Sequence, residues 1–390
     1  MGDFSQPGLI CTLQQLNEPH LERLEGELTE LSRTAPIGLI LPCHARDLDS
    51  PAISTIRDQL SGAEWLAEVV ISLNGITAAE YQRARALFSK LPSRVRLLWN
   101  DGPHLRALYS RLLAEETASV LPGKGLNVWA GIGLLSADSS VAVIATQDCD
   151  VASFRRVALA RLCYACLHPT LNFQFAKMYY SRVTDKLYGR VSRLFLAPLL
   201  EAVVRLAGHQ PLVDFLLSFR YPLAGEMALQ RPLAETLPGT HGWGLEIATL
   251  CDLFRRVDPR AICQVDGGSG YDHKHQPGAE ALTGMCQEIA QELAAQLARE
   301  GLPPDAVSPE SLQHAFRREN TDAQRRYAAL AQINGLPFTA AEESRLSSAF
   351  ADVFQAPALD PKQALPSWSS LRQQRPAEVQ EFVEAALYSE

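Results

Sequence analysis

Between residues 37 and 146, short apolar runs alternate with segments of helical periodicity, and that alternation leaves the chain few architectures. Ile37-Gly-Leu-Ile-Leu-Pro42, Glu68-Val-Val-Ile-Ser-Leu73, Val95-Arg-Leu-Leu-Trp99 and Ser140-Val-Ala-Val-Ile-Ala-Thr146 read as strands. Helices are predicted between them over 53–60, 78–91 and 103–116, and from Gly123-Lys-Gly125 through Leu135. Runs that are apolar at consecutive positions belong to strands covered on both faces, so the pattern predicts an α/β fold with a mostly parallel central sheet flanked by helices. Beyond residue 150 the text is more mixed: 171–181 and 261–265 read as strands, 191–206 as a helix and 215–222 as extended chain.

Three segments follow. Residues 1–36 form an N-terminal segment whose apolar positions at helical spacing over 9–33 predict an amphipathic leading helix that packs or dimerises, and a homodimer is expected. Residues 37–300 form the main domain, divisible at 150. Residues 301–390 are Pro-punctuated and Gln- and Ala-rich, which predicts a helical C-terminal extension; no internal repeat is found. With 36 Lys and Arg against 44 Asp and Glu, the formal charge is −8, so nucleic acid is not an expected partner and any anionic ligand needs a local basic cluster. The eight cysteines contain one close pair, Cys163-x-x-Cys166, with no second pair to complete a zinc site, which suits reduced thiols. No signal peptide is evident at MGDFSQPGLI, and no apolar run approaches the roughly 18 residues of a membrane span. A cytoplasmic protein without a membrane partner is expected.

Asp148-Cys149-Asp150 stands at the end of a predicted strand, where open parallel sheets bind ligands. Two carboxylates one residue apart can supply oxygen ligands to a divalent cation; a solvated turn is the competing reading. His273 and His275, in Tyr271-Asp-His-Lys-His-Gln276, would share a face of an extended segment, as a metal or anion site or as a surface loop. Gly189-Arg190-Val-Ser192 precedes an apolar helix and reads as a phosphate or carboxylate pocket or as an ordinary helix start. Gly123-Lys124-Gly125 also opens a helix, but it is not a Walker motif. Glu226 and Glu246 interrupt apolar stretches beside glycines, so each is either a functional buried acid or a helix-start acid.

Taken in order, Gly123-Lys-Gly125, Asp148-Cys-Asp150, Gly189-Arg-Val-Ser192, Pro222-Leu-Ala-Gly-Glu226, Gly242-Trp-Gly-Leu-Glu-Ile247 and Tyr271-Asp-His-Lys-His-Gln276 resemble the glucosyl-3-phosphoglycerate synthases, retaining glycosyltransferases with a GT-A fold. The resemblance covers about residues 37 to 289. It implies a nucleotide-diphosphate glucose donor such as UDP-glucose, 3-phosphoglycerate as acceptor, a divalent metal (Mg2+ or Mn2+) and a place in making the compatible solute glucosylglycerate. It also implies a nucleotide-sugar half at 37–150 and an acceptor half at 151–300. Carried over by position, Asp150 and His273 are the metal ligands, while Asp148 and Cys149 lie at the nucleotide ribose. Lys124 lies near the diphosphate, Pro42 and Asn74 in the uridine pocket, and Tyr271 on the donor side. Gly189, Arg190, Ser192, Gly225 and His275 cradle the acceptor. Glu246 holds the transferred glucose or the incoming hydroxyl and, with Asp150 and Lys124, makes the catalytic set. Cys43-His-Ala-Arg-Asp47 replaces a Leu-Asn-Glu type loop of many relatives, and Tyr271 replaces an Arg of some. Mannosyl transfer or free glycerate as acceptor is the near alternative. A metal-dependent nucleotide-sugar phosphohydrolase and a sensing module without turnover are alternatives of other classes.

Overall fold

The computed structural model describes residues 8–17, 20–113, 123–269, 279–303, 306–356 and 364–387. Their strands are β1 (Cys11–Leu13), β2 (Ile37–His44), β3 (Leu66–Asn74), β4 (Arg94–Trp99), β5 (Val143–Thr146), β6 (Phe175–Ser181), β7 (Met227–Gln230) and β8 (Ile262–Ser269). They form one eight-stranded sheet in the order β1-β8-β6-β7-β5-β2-β3-β4. Only β7 runs antiparallel, against both β5 and β6. The four apolar runs of 37–146 are all strands, and β2 is buried from Ile37 to Cys43 because helices cover both its faces.

Strand order locates the site. The chain passes from β2 outward through β3 to β4, then returns to place β5 on the other side of β2. Parallel strands whose connections diverge leave a crevice beyond their carboxyl ends, and Asp148 and Asp150 follow β5 at that crevice. The helix Lys124–Ser136 opens above it with an uncapped N-terminus.

Two predicted elements differ. The leading segment begins with β1, which pairs with β8 from Cys11↔Cys263 to Leu13↔Val265, and only Leu21–Ser32 is helical. Three residues are too few to set a strand period, and their partners lie some 250 residues away. Residues 215–222, read as extended, instead include the end of the helix Pro211–Leu217, which has Pro at its first position and buries Leu212, Val213, Phe215 and Leu216. An apolar run of that length fits either element.

Beyond residue 300 the described chain is helical: Pro309–Ile333, Ala340–Asp352, Trp368–Gln374 and Pro376–Leu387. It packs against the preceding chain through aromatic contacts among others. Trp368 stacks on Trp129 with ring centroids 4.4 Å apart and donates its indole N–H to the Trp129 carbonyl at 2.7 Å. A Cβ on Gly133 would lie 2.1 Å from the Trp368 ring, so the helix surface at Gly133 is shaped to that indole. At the other end, Phe316, Phe350 and Phe354 surround Phe195. No helix among the described residues is long and apolar enough to cross a membrane.

Candidate active site

At the carboxyl end of β5, the Lys124 ammonium lies 2.9 Å from the Asp148 carboxylate and 2.9 Å from Glu246 Oε1. Three distant stretches meet here: the first turn of the helix Lys124–Ser136, the β5 exit, and the first turn of the helix Leu245–Arg256. Burial alone would push the Lys124 pKa down, but the two carboxylates outweigh it and hold the ammonium well above its ordinary range. One positive and two negative charges leave the cluster with a surplus negative charge. In this geometry the Lys124 ammonium directs its hydrogen bonds to the two carboxylates.

Gly225 closes the cluster. A Cβ there would stand 2.3 Å from Asp148 Oδ2 and 2.5 Å from Lys124 Nζ, so only glycine lets the turn before β7 lie against the pair. Thr146 fixes that turn by donating to the Gly225 carbonyl at 2.6 Å. Glu226 is fully buried and held: Gln147 donates to its Oε1 at 3.1 Å and Tyr180 to its Oε2 at 2.9 Å. Beneath them lies Lys177, a residue the sequence reading passed over. It is 1% exposed, donates to the Ala224 carbonyl at 2.6 Å, and burial lowers its pKa to about 8. A lysine in the strand Phe-Ala-Lys-Met-Tyr-Tyr-Ser would ordinarily reach solvent, so only the covered sheet reveals it.

Asp148, Asp150, Lys124 and Glu246 line a cavity of ≈ 310 Å³ together with Arg182, Lys186, Tyr188, Gly189, Arg190, Ser192 and Trp243. The structure thus brings the β5 acids and the glycine-arginine motif to one site. Gly189 adopts φ +67°, the left-handed region that glycine occupies without penalty. The chain then enters a wide π-helical turn, Ser192–Leu196. Ser192 Oγ makes no hydrogen bond within the protein, which leaves a buried hydroxyl on the cavity wall. Arg190 reaches carboxylates of the C-terminal region, pairing through Nη2 with Glu342 and through Nε with Glu343 Oε1 at 3.3 Å. Arg182, Lys186, Glu342 and Glu343 were all missed from sequence; the two acids lie about 150 residues from the arginine they hold.

Asn74 ends β3, and its Oδ1 accepts from Asn127 at 2.7 Å. Asn127 continues into a buried network in which Asn100 donates to Asn127 Oδ1 and to Ser72, each at 2.8 Å. Pro42 is buried within β2 opposite Ser72. Cys149 is 3% exposed and belongs to the core, and a hydrogen bond with Cys43, together with burial, pushes its thiol pKa up. Tyr271, His273 and His275 lie outside the described residues.

Among the described residues, Asp150 is the expected metal ligand, and its carboxylate is of the chemistry a hard divalent cation takes. Asp150 faces the cavity, and the buried carboxyl of Asp47 has its pKa raised by burial, with the Asp150 charge adding to the rise. Among the described residues no group of three or more His, Cys, Asp or Glu side chains is placed to hold a metal ion.

No protein-family profile matches the chain. It is 36% identical over 359 residues to glucosyl-3-phosphoglycerate synthase of Persephonella marina, covering 91% of this chain and 89% of that one. Among solved structures it resembles glucosyl-3-phosphoglycerate synthase of Mycobacterium tuberculosis in complex with Mn2+, UDP-glucose and phosphoglyceric acid. That match has a TM-score of 0.54 and 25% identity over 73% of this chain and 86% of that one. The same enzyme in complex with Mg2+ and UDP gives a TM-score of 0.53 and 25% identity, covering 74% and 86%.

Proposed function

The chain belongs to the glucosyl-3-phosphoglycerate synthase family, and from that premise we propose that it transfers glucose from UDP-glucose to 3-phosphoglycerate with retention at the anomeric carbon. The observation that carries this reading is the shared cavity, in which the β5 acids with Lys124 and Glu246 face Arg190, Lys186 and Ser192. A cluster with surplus negative charge suits the hydroxyls of a neutral sugar and a ribose, while the basic wall opposite suits a phosphate and a carboxylate.

Asp148 accepts from the nucleotide ribose, with Pro42, Asn74 and the backbone of Cys149 nearby and Tyr271 on the same side. Glu246, oriented by Lys124, accepts from the transferred glucose. Gly189, Arg190, Ser192, Gly225 and His275 cradle the acceptor. Asp150 and His273 hold a divalent cation, Mg2+ or Mn2+, which when bound supplies positive charge beside the leaving diphosphate. Glu226 has both oxygens engaged and Glu246 is bonded to Lys124, so neither suits a glycosyl nucleophile. The reaction therefore proceeds at the front face: the bond from the anomeric carbon to the UDP oxygen breaks, the bond to the acceptor oxygen forms, and the acceptor's proton passes to the leaving phosphate. Detection by mass spectrometry of a glucosyl-enzyme adduct would sink that step.

The protein acts in the cytoplasm as a homodimer; a monomeric mass in sedimentation would refute the dimer. The deciding assay incubates the purified protein with UDP-glucose and Mg2+, with and without 3-phosphoglycerate. Acceptor-dependent UDP release with an α-linked glucosyl product is expected. Free glucose or glucose phosphate without acceptor would instead mark a phosphohydrolase, and binding with no product a sensor.

A further inference from the structure

Arg190 is shared between two neighbouring carboxylates that differ in setting. Glu343 is buried, accepts from Arg190 Nε at 3.3 Å and also pairs with buried Arg193. Its contact is part of the packing between the helix Ala340–Asp352 and the π-helical turn. Glu342 is a residue of the same helix's first turn, but its side chain is 37% exposed and it bridges two cavity-lining cations: Oε1 pairs with Arg190 Nη2, and Oε2 lies 3.6 Å from Lys186 Nζ.

Two oxygens on one carbon, spanning a guanidinium and an ammonium at the cavity wall, offer the same charge pattern as a phosphate or carboxylate of an acceptor. Burial pushes the Glu342 carboxyl up, but Arg190 and Lys186 outweigh it and hold its pKa below the ordinary range. It is a full anion at neutral pH. An incoming anion and Glu342 cannot both saturate the same donors, and the exposed member of the pair is the one free to turn toward water.

We infer that Glu342 is a specificity-determining residue of the acceptor site, an internal counter-anion that occupies the Arg190 and Lys186 pair and is displaced when the acceptor's anionic group arrives. Glu343 stays in place and keeps the guanidinium aimed. This deepens the acceptor reading given above and rests on it. An interaction that must be broken before binding lowers apparent affinity by the fraction of protein in the open state, and it leaves the chemical step untouched.

The test is steady-state kinetics of Glu342→Gln and Glu343→Gln with 3-phosphoglycerate varied at saturating UDP-glucose and Mg2+, with calorimetric titration of 3-phosphoglycerate into each protein. For Glu342→Gln the acceptor KM and Kd should fall about fivefold, with kcat and the donor KM within about twofold of wild type. For Glu343→Gln the acceptor KM should rise. Opposite signs at adjacent positions separate displacement from loss of structure. An acceptor KM that stays constant or rises in a folded Glu342→Gln variant would overturn the inference. A wild-type enzyme that makes no product from 3-phosphoglycerate would overturn the acceptor reading itself.

Discussion

The two walls of the cavity are held by different parts of the chain. The wall of Lys124, Asp148 and Glu246 is completed by side chains that hang from the end of β5 and from two helix starts and bond one another. The wall of Arg190, Lys186 and Ser192 is met by the C-terminal region, where Glu343 holds the Arg190 guanidinium and Glu342 sits on Arg190 and Lys186 as a counter-anion. The first wall is rigid because its partners are fixed by the sheet. The second depends on a remote helix, so it can be adjusted without disturbing the first. Under the proposed function, donor recognition is the fixed half and acceptor recognition the adjustable half.

The strongest challenge to that division is Asp150→Ala. Removing the cavity-facing carboxylate should lower kcat by about a thousandfold, comparable to other losses of transition-state charge stabilisation, with the circular dichroism spectrum unchanged. Excess chelator should do the same, and full activity in either case would remove Asp150 as a metal ligand. Next comes Gly225→Ala, whose methyl must displace Asp148 or Lys124. A misplacement near 1 Å predicts a loss of about a hundredfold in kcat/KM, read with both substrates varied. Arg190→Ala should then raise the acceptor KM about thirtyfold, the effect of losing charged hydrogen bonds of about 2 kcal/mol, while the donor KM holds. Equal effects on both substrates would abolish the distinction between the walls.

The smallest effect concerns Lys177. Its folded pKa of about 8 lies below that of an exposed lysine, so the folded state binds fewer protons than the unfolded state between the two values. The burden of the buried charge is full below pH 8 and declines as pH rises above it. Wild-type stability relative to Lys177→Met should therefore increase above pH 8, by about 1.4 kcal/mol per pH unit at most, measured as urea midpoints. A flat difference would show that Lys177 titrates like a surface residue.

The sheet from β2 to β5 was legible in the sequence because strands buried on both faces are written as continuous apolar runs. Asp148 and Asp150 were legible because they follow such a run directly, and Gly189 because glycine punctuates a helix start. What escaped detection depends on contacts made across the fold. β1 is too short to carry a period and gains its identity from β8. Lys177 has the chemistry of a surface residue and is interior only because helices cover the strand. Glu342 and Glu343 are unremarkable helix-start acids until the chain returns them to Arg190. The two carboxylate partners of Lys124 could not be read locally, since they arrive from 24 and 122 positions away.

The indole of Trp368 fills the space where a side chain at position 133 would stand. Neither position can therefore be changed in size without answering at the other. A chimera that takes the main domain from one homologue and the last helices from another inherits a collision wherever the donor of the domain has anything larger than glycine at 133, and a void wherever the donor of the tail lacks the tryptophan.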